Sequence, residues 1–261
     1  MPPVLIEIGV IKITVYGLMV ALGTVTAIIL AYLKASEENL QPDYILEIAI
    51  VIGFGSLLLS RTITIIFGVE QTTAFFSASA LSFIGAITGG LTGLFFWCRA
   101  RKMNLIKIGD YLAPYIMLVY AFSKVGCHFS NCCYGLETTL SWAISPGSNP
   151  ELLLHPVQLY AVTGSLFIFI TLLIMQRKKL FVGSILFVLM LLFGLMLIIT
   201  GMFAFSDVYW LGFSPLQLFG FILILASGLI IFYLYQAGSK KKTTREKKTG
   251  EMKNNDREKG S

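Results

Sequence analysis

Apolar runs of about twenty residues recur along nearly the whole chain, separated by short polar connections, which is the spacing of helices that cross a bilayer. The predicted spans are Thr14–Leu33, Tyr44–Phe67, Ala80–Cys98, Asp110–Gly126, Pro156–Met175, Leu180–Phe203 and Phe213–Tyr235. Backbone N–H and C=O groups inside hydrocarbon must be satisfied within their own segment, so these spans are read as helices. The fourth is the shortest and turns polar at its end. The expected fold class is therefore an all-α membrane protein of about seven transmembrane helices. It divides into a membrane domain, residues 1–235, and a basic tail, residues 236–261, expected to be disordered. The first ten residues, MPPVLIEIGV, lack the basic stretch and small-residue cleavage site of a signal peptide, so the first span is expected to be retained.

Composition agrees with this reading. Hydrophobic residues make up 56% of the chain and charged residues 13%, against about 25% charged residues in an ordinary soluble domain. The net charge of +6 would point to nucleic acid if it were spread over a surface, but it is not. The segment Gln236–Ser261 holds seven Lys, two Arg and four acids, a balance of +5. No nucleic-acid partner is expected; the tail is read as solvated and topology-setting, resting on anionic headgroups at most.

The basic residues also give an orientation. Arg99, Arg101, Lys102 and Lys107 follow the third span, and Arg177, Lys178 and Lys179 follow the fifth. The alternate connections 68–79 and 204–212 carry no Lys or Arg. The positive-inside rule then places the N-terminus outside and the C-terminus in the cytoplasm.

Under that topology several polar residues fall at one depth near the outer side. Arg61 lies about a turn and a half inside the end of span two, Lys124 ends span four, and His155 opens span five, with Gln158 and Tyr160 within the next turn. Tyr16 is in the outer half of span one and Gln217 near the start of span seven. Arg61 could simply snorkel, and Tyr16 could be an interfacial anchor. Their convergence with an ammonium, an imidazole and two amides suits a phosphate headgroup instead. Gly85, Gly89 and Gly93, four residues apart in span three, form a ridge of small residues read first as a helix-packing surface.

The densest cluster is KVGCHFSNCCYG, residues 124–135, with Cys127, His128, Cys132 and Cys133. Three thiols and an imidazole within seven residues can hold a metal, form a disulfide or supply a nucleophile. The spacing matches no common zinc motif. On an outer surface a disulfide from Cys127 to Cys132 or Cys133 is the ordinary alternative, while Cys98 reads as a packed thiol.

With these motifs in hand, the chain resembles the prolipoprotein diacylglyceryl transferases, multi-pass enzymes of the bacterial cytoplasmic membrane. The resemblance runs in order through VYGLMVALG, LLSRTITIIF with Arg61, SFIGAITGGLTG, KVGCHFSNCCYG in the place of the family signature, HPVQLYA and GFSPLQLFGF. It implies transfer of a diacylglyceryl group from phosphatidylglycerol, or a similar phospholipid, to the cysteine thiol of a lipoprotein precursor, with no cofactor and no metal. It also implies roles: Arg61 and Lys124 for the phosphate, with Tyr16, Gln158 and Gln217 as further phospholipid contacts, and His155, Tyr160 or His128 for the thiol proton. The departures are equally specific. Ile84 stands for a family histidine, Lys124 for the signature arginine, and Cys127, Ser130 and Cys132 for two asparagines and a glutamate. Leu197, Thr200 and Phe203 stand for charged residues of span six, and Ala161 for a glutamate.

Three functions follow for testing. The chain is a diacylglyceryl-type transferase; or a lipid-binding accessory protein that kept the pocket and lost the reaction; or a thiol- or metal-dependent membrane enzyme using the Cys127–Cys133 segment. Transport is weaker, because no acidic residue is expected deep in a span and no internal repeat is evident.

Overall fold

A computed structural model describes residues 4–8, 11–38, 40–66, 80–145, 151–178, 180–206, 209, 212–229 and 231. The basic tail, the whole connection after span two, and the last part of span seven lie outside the described residues. The architecture is helical, preceded by a short antiparallel hairpin of β1 (Val4–Ile8) and β2 (Ile11–Thr14) that alternation in the first residues did not announce. The helices are α1 (Val15–Ala35), α2 (Pro42–Ile66), α3 (Ala80–Ala100), α4 (Leu105–Phe129), α5 (Val157–Gln176), α6 (Ser184–Phe203) and α7 (Pro215–Leu229). Among the described residues, five of them, α1, α2, α4, α5 and α6, are long and apolar enough to cross a membrane.

α4 is the axis of the fold, packing against α1 on one side and against α5 and α6 on the other. Its residues Ala113, Tyr115, Met117, Leu118 and Ala121 are buried, and they divide the core into two apolar clusters, one toward α1–α3 and one toward α5–α7. The outer faces of the helices are apolar as well. Ile50, Ile65, Phe96, Phe167 and Leu225 are all more than 60% exposed, an arrangement stable only if hydrocarbon rather than water surrounds the bundle.

The fourth span corrects its expectation. It is not short: α4 starts five residues before Asp110 and runs three past Gly126, for 25 residues. Asn104 caps its first turn, its side-chain oxygen accepting from the amides of Ile106 and Lys107. Asp110 therefore sits in the second turn of the helix and is buried near the basic end of the bundle. Its carboxylate is affordable because it caps α6 from across the bundle, accepting from the amides of Gly183 and, at 2.7 Å, Leu186. Pro114 also lies within α4 without ending it.

The glycine ridge of α3 is a packing surface, as its simplest reading held. Gly89 and Gly55 of α2 meet backbone to backbone, and a Cβ on Gly93 would stand 2.8 Å from the carbonyl oxygen of Val51. Ser56 Oγ donates across this seam to the carbonyl of Ala86 at 2.8 Å. Only residues without side chains allow two helices so close.

The two ends of the bundle differ in chemistry. At one end, Arg101 forms an ion pair with Glu47, which also accepts from Trp97 Nε1 at 2.8 Å, and Arg99, Lys102, Lys107, Arg177 and Lys178 lie in the same region. At the other end are the start of α1, the end of α4, the start of α5 and the end of α6. The cysteine segment lies there, opposite the basic connections.

Candidate functional site

α4 carries Lys124, Cys127 and His128 in its last two turns, so the first two members of the cysteine segment are helical rather than part of a loop. The chain then reverses sharply. The amides of Ser130, Asn131 and Cys132 donate back to Gly126, His128 and Cys127 at 3.0, 3.2 and 3.1 Å. Asn131 and Cys133 take left-handed backbone angles, φ 50° and 61°. Asparagine tolerates that region; cysteine rarely enters it. The result is a tight turn that lays Cys132 and Cys133 over the end of α4.

The three sulfurs of Cys127, Cys132 and Cys133 thereby lie within 4.8 Å of one another. All are free thiols in this structure, as is buried Cys98. Hydrogen bonds from the Cys127 and Cys132 thiols, and then the nearby Lys124 ammonium, hold the Cys133 thiol well below the ordinary thiol range against the opposing effect of burial.

Lys124 projects its ammonium over the ring of Tyr120, 5.3 Å from the centroid, and interacts electrostatically with the cysteine group. Tyr16, in the first turn of α1, packs on Gly126: a Cβ there would lie 3.2 Å from the Tyr16 Cα and 3.3 Å from its ring. From α5, Gln158 is 1% exposed and donates from Nε2 to the carbonyl of Cys132 at 2.7 Å. So Tyr16, Lys124 and Gln158 do converge, and they converge on the cysteine turn.

His155 and Tyr160 form a neighbouring group. The His155 Nδ1 lies 3.3 Å from the Tyr160 hydroxyl, which also accepts from Trp142 Nε1 at 2.9 Å. The His155 ring tilts over Phe203 of α6, with centroids 5.0 Å apart. Gly135 makes this contact possible, since a Cβ there would stand 2.5 Å from the His155 carbonyl oxygen and 2.8 Å from that of Phe203. Trp142 did not stand out in the sequence, being a lone aromatic in a polar stretch, and Phe203 stood out only as a departure from the family pattern.

The remaining expected residues are placed differently. Gln217 caps α7, its Oε1 accepting from the Ser214 amide at 2.8 Å while its stem packs on Gly201. Arg61 is half-buried near the end of α2, which pairs with α3 and touches α1. It shares the cysteine end of the bundle by chain direction, one helix removed from α4. Of the positions that depart from the family pattern, Leu197, Thr200 and Ala161 are buried in the core, with Thr200 Oγ1 bonded to its own helix at Met196.

His128 lines a cleft of about 430 Å³ beside the cysteine turn, with Phe129, Asn131, Tyr134, Ile144 and Ser145. Nδ1 of His128, Oγ of Ser130, Oη of Tyr134 and Oε1 of Gln158 are buried without a hydrogen-bond partner. Buried polar atoms are ordinarily satisfied by protein or by water, so these four are open to a water or a polar ligand.

Comparison with known sequences adds an independent line. The family described as prolipoprotein diacylglyceryl transferase matches residues 3–234. Among similar proteins, the phosphatidylglycerol–prolipoprotein diacylglyceryl transferase of Clostridium tetani is 31% identical over 170 residues, 62% of this chain and 68% of the relative. Those of Dehalococcoides mccartyi and Campylobacter hominis are 26% and 29% identical, covering 92% and 89% of this chain and 95% and 87% of their own lengths.

Proposed function

The chain belongs to the prolipoprotein diacylglyceryl transferase family, and from that premise we propose that it moves a diacylglyceryl group from phosphatidylglycerol to the cysteine thiol of a lipoprotein precursor. It is a multi-pass membrane protein, and the reading places it in the bacterial cytoplasmic membrane with the cysteine end of the bundle at the outer leaflet, since the basic connections occupy the opposite end.

The observation that carries the proposal is the grouping of Lys124 with Tyr16, Gln158 and the cysteine turn at the end of the central helix. The transfer breaks a carbon–oxygen bond to phosphate, so negative charge grows on the departing glycerol phosphate. A fixed ammonium in a site shielded from water stabilises that charge far better than it would in solution. Lys124 is assigned this role, with Arg61 as a second cation along the path of the lipid headgroup. Tyr16 and Gln158 pack beside Lys124 at the end of α4, and both are assigned to the phospholipid site, with Gln217 of α7 as a further contact. The acceptor must also lose its thiol proton. His155, held by Tyr160 and tilted against Phe203, is the assigned base, with His128 at the cleft as the alternative.

The test is reconstitution of the purified protein in vesicles containing phosphatidylglycerol, with a lipobox peptide as acceptor. Lipidated peptide, seen as a mass increase of one diacylglyceryl group, is expected. Its absence, where another family member gives product under the same conditions, would refute the proposal and favour the accessory reading, for which the loss of charged residues at Leu197, Thr200 and Phe203 is the specific support.

A further inference from the structure

We propose that Cys127, Cys132 and Cys133 form a three-thiolate site for a thiophilic divalent cation of the zinc type, with a fourth coordination position open to an external thiol. The site itself is argued from the chain alone; the identity of the fourth ligand rests on the transfer proposed above.

The first argument is convergence. Zinc–sulfur bonds of about 2.3 Å set neighbouring sulfurs about 3.8 Å apart around a tetrahedral ion. Three sulfurs within 4.8 Å of one another fit one such ion with only small side-chain rotations. A disulfide would draw two of them to about 2.05 Å and leave the third without a role. The second is construction. Adjacent side chains ordinarily diverge, and the left-handed backbone at Cys133 accompanies a turn in which both sulfurs meet that of Cys127. Gln158 and the amide of Cys132 pin that turn to α5 and α4. Unfavourable backbone held in place by surrounding bonds is the mark of a preorganised site.

The third is chemistry. The donors are all sulfur, and among the described residues no histidine or carboxylate joins the group. Such a set selects soft or borderline ions and discriminates against magnesium and calcium, which require oxygen. Three thiolates around a dication carry one net negative charge, and Lys124, one helical turn before Cys127 and electrostatically coupled to the group, balances it. Three protein ligands are also the pattern of sites that keep a position for substrate. A thiol entering that position would bind the ion as thiolate, its sulfur keeping the electron pair while its proton passes to the base assigned above, His155 or His128. That is the nucleophile a diacylglyceryl transfer needs, and Cys133 is exposed enough for an acceptor to reach it.

The experiment uses the full chain in detergent, reduced and stripped of metal, with zinc alone and then cobalt as probes. One equivalent of zinc should bind, and cobalt should give the sulfur-to-metal charge-transfer band of a thiolate site. Cys127→Ser, Cys132→Ser and Cys133→Ser should each weaken zinc binding on the order of 100-fold, whereas Cys98→Ser should not, with monodispersity of every variant checked by gel filtration. Failure of the reduced, monodisperse protein to bind stoichiometric zinc, or binding indifferent to the three serines, overturns the site. A lipobox cysteine peptide should shift the visible bands of the cobalt form, and its serine analogue should not; unchanged bands overturn the open position. None of these readouts needs turnover. Protein that binds zinc through the cluster but makes no lipidated peptide would therefore count against the transfer while supporting the site.

Discussion

The side-chain amide of Gln158 donates to the backbone carbonyl of Cys132 across 2.7 Å, tying the first turn of α5 to the turn that closes α4. Gln158 is 1% exposed, so this bond forms away from competing water. Replacing Gln158 by Leu should leave the Cys132 carbonyl unpartnered and cost about 1–3 kcal/mol. A lower melting temperature in detergent, together with faster maleimide labelling of Cys132 and Cys133, is the expected pair of results. Unchanged labelling would mean the turn is held by other bonds.

Lys124 stands where the family resemblance places an arginine, and its ammonium lies over the Tyr120 ring. Lys124→Met keeps the length and removes the charge, and kcat/KM for lipid transfer should fall about 100-fold or more. Lys124→Arg should retain far more activity, since the cation persists even though its hydrogen-bonding geometry changes. Equal activity in the Met and Arg variants would exclude a phosphate role for this residue.

The Tyr160 hydroxyl accepts from Trp142 and sits beside His155. Tyr160→Phe should release both, lowering kcat about 10-fold with little change in KM if the hydroxyl positions the imidazole rather than the lipid. Emission from Trp142 should shift in the same variant. A purely KM effect would reassign Tyr160 to substrate binding.

Asp110, in the second turn of α4, caps α6 at the end of the bundle remote from the cysteine turn. Asp110→Ala should destabilise the protein by about 1–2 kcal/mol. Asp110→Asn, which keeps an oxygen acceptor, should lose less. Transfer activity measured well below the melting temperature should be nearly unaltered in both, as the site is about one bundle length away.

Gly89 meets Gly55 backbone to backbone between α3 and α2. Gly89→Val should force the helices apart and cost about 3 kcal/mol or more, because the opposing atoms are main chain and cannot rotate away. Poor recovery in the membrane fraction is expected; Gly53→Val, facing open space on the same helix pair, is the control.

The span pattern was readable from the sequence because lipid imposes a single demand, a long apolar helix, on each crossing segment. The glycine ridge was readable for the same reason: its regular spacing admits one simple reading. Tyr16, Lys124 and Gln158 were legible as polar residues near one depth, yet their meeting point was not. Depth follows from position along a helix, whereas neighbourhood depends on which helices pack together, and α4 is the one that meets α1, α5 and α6. Asp110 was misread as a boundary because its partners, the amides of α6, lie more than seventy residues away in the chain.

The sequence by itself determined that this protein lives in a membrane, which family it resembles, and that three cysteines crowd one short segment. Only the tertiary structure decided that their sulfurs meet. Spacing along a chain cannot say where adjacent side chains point; that is set by backbone angles at Asn131 and Cys133, and those angles persist because α5 and the end of α4 hold the turn in place.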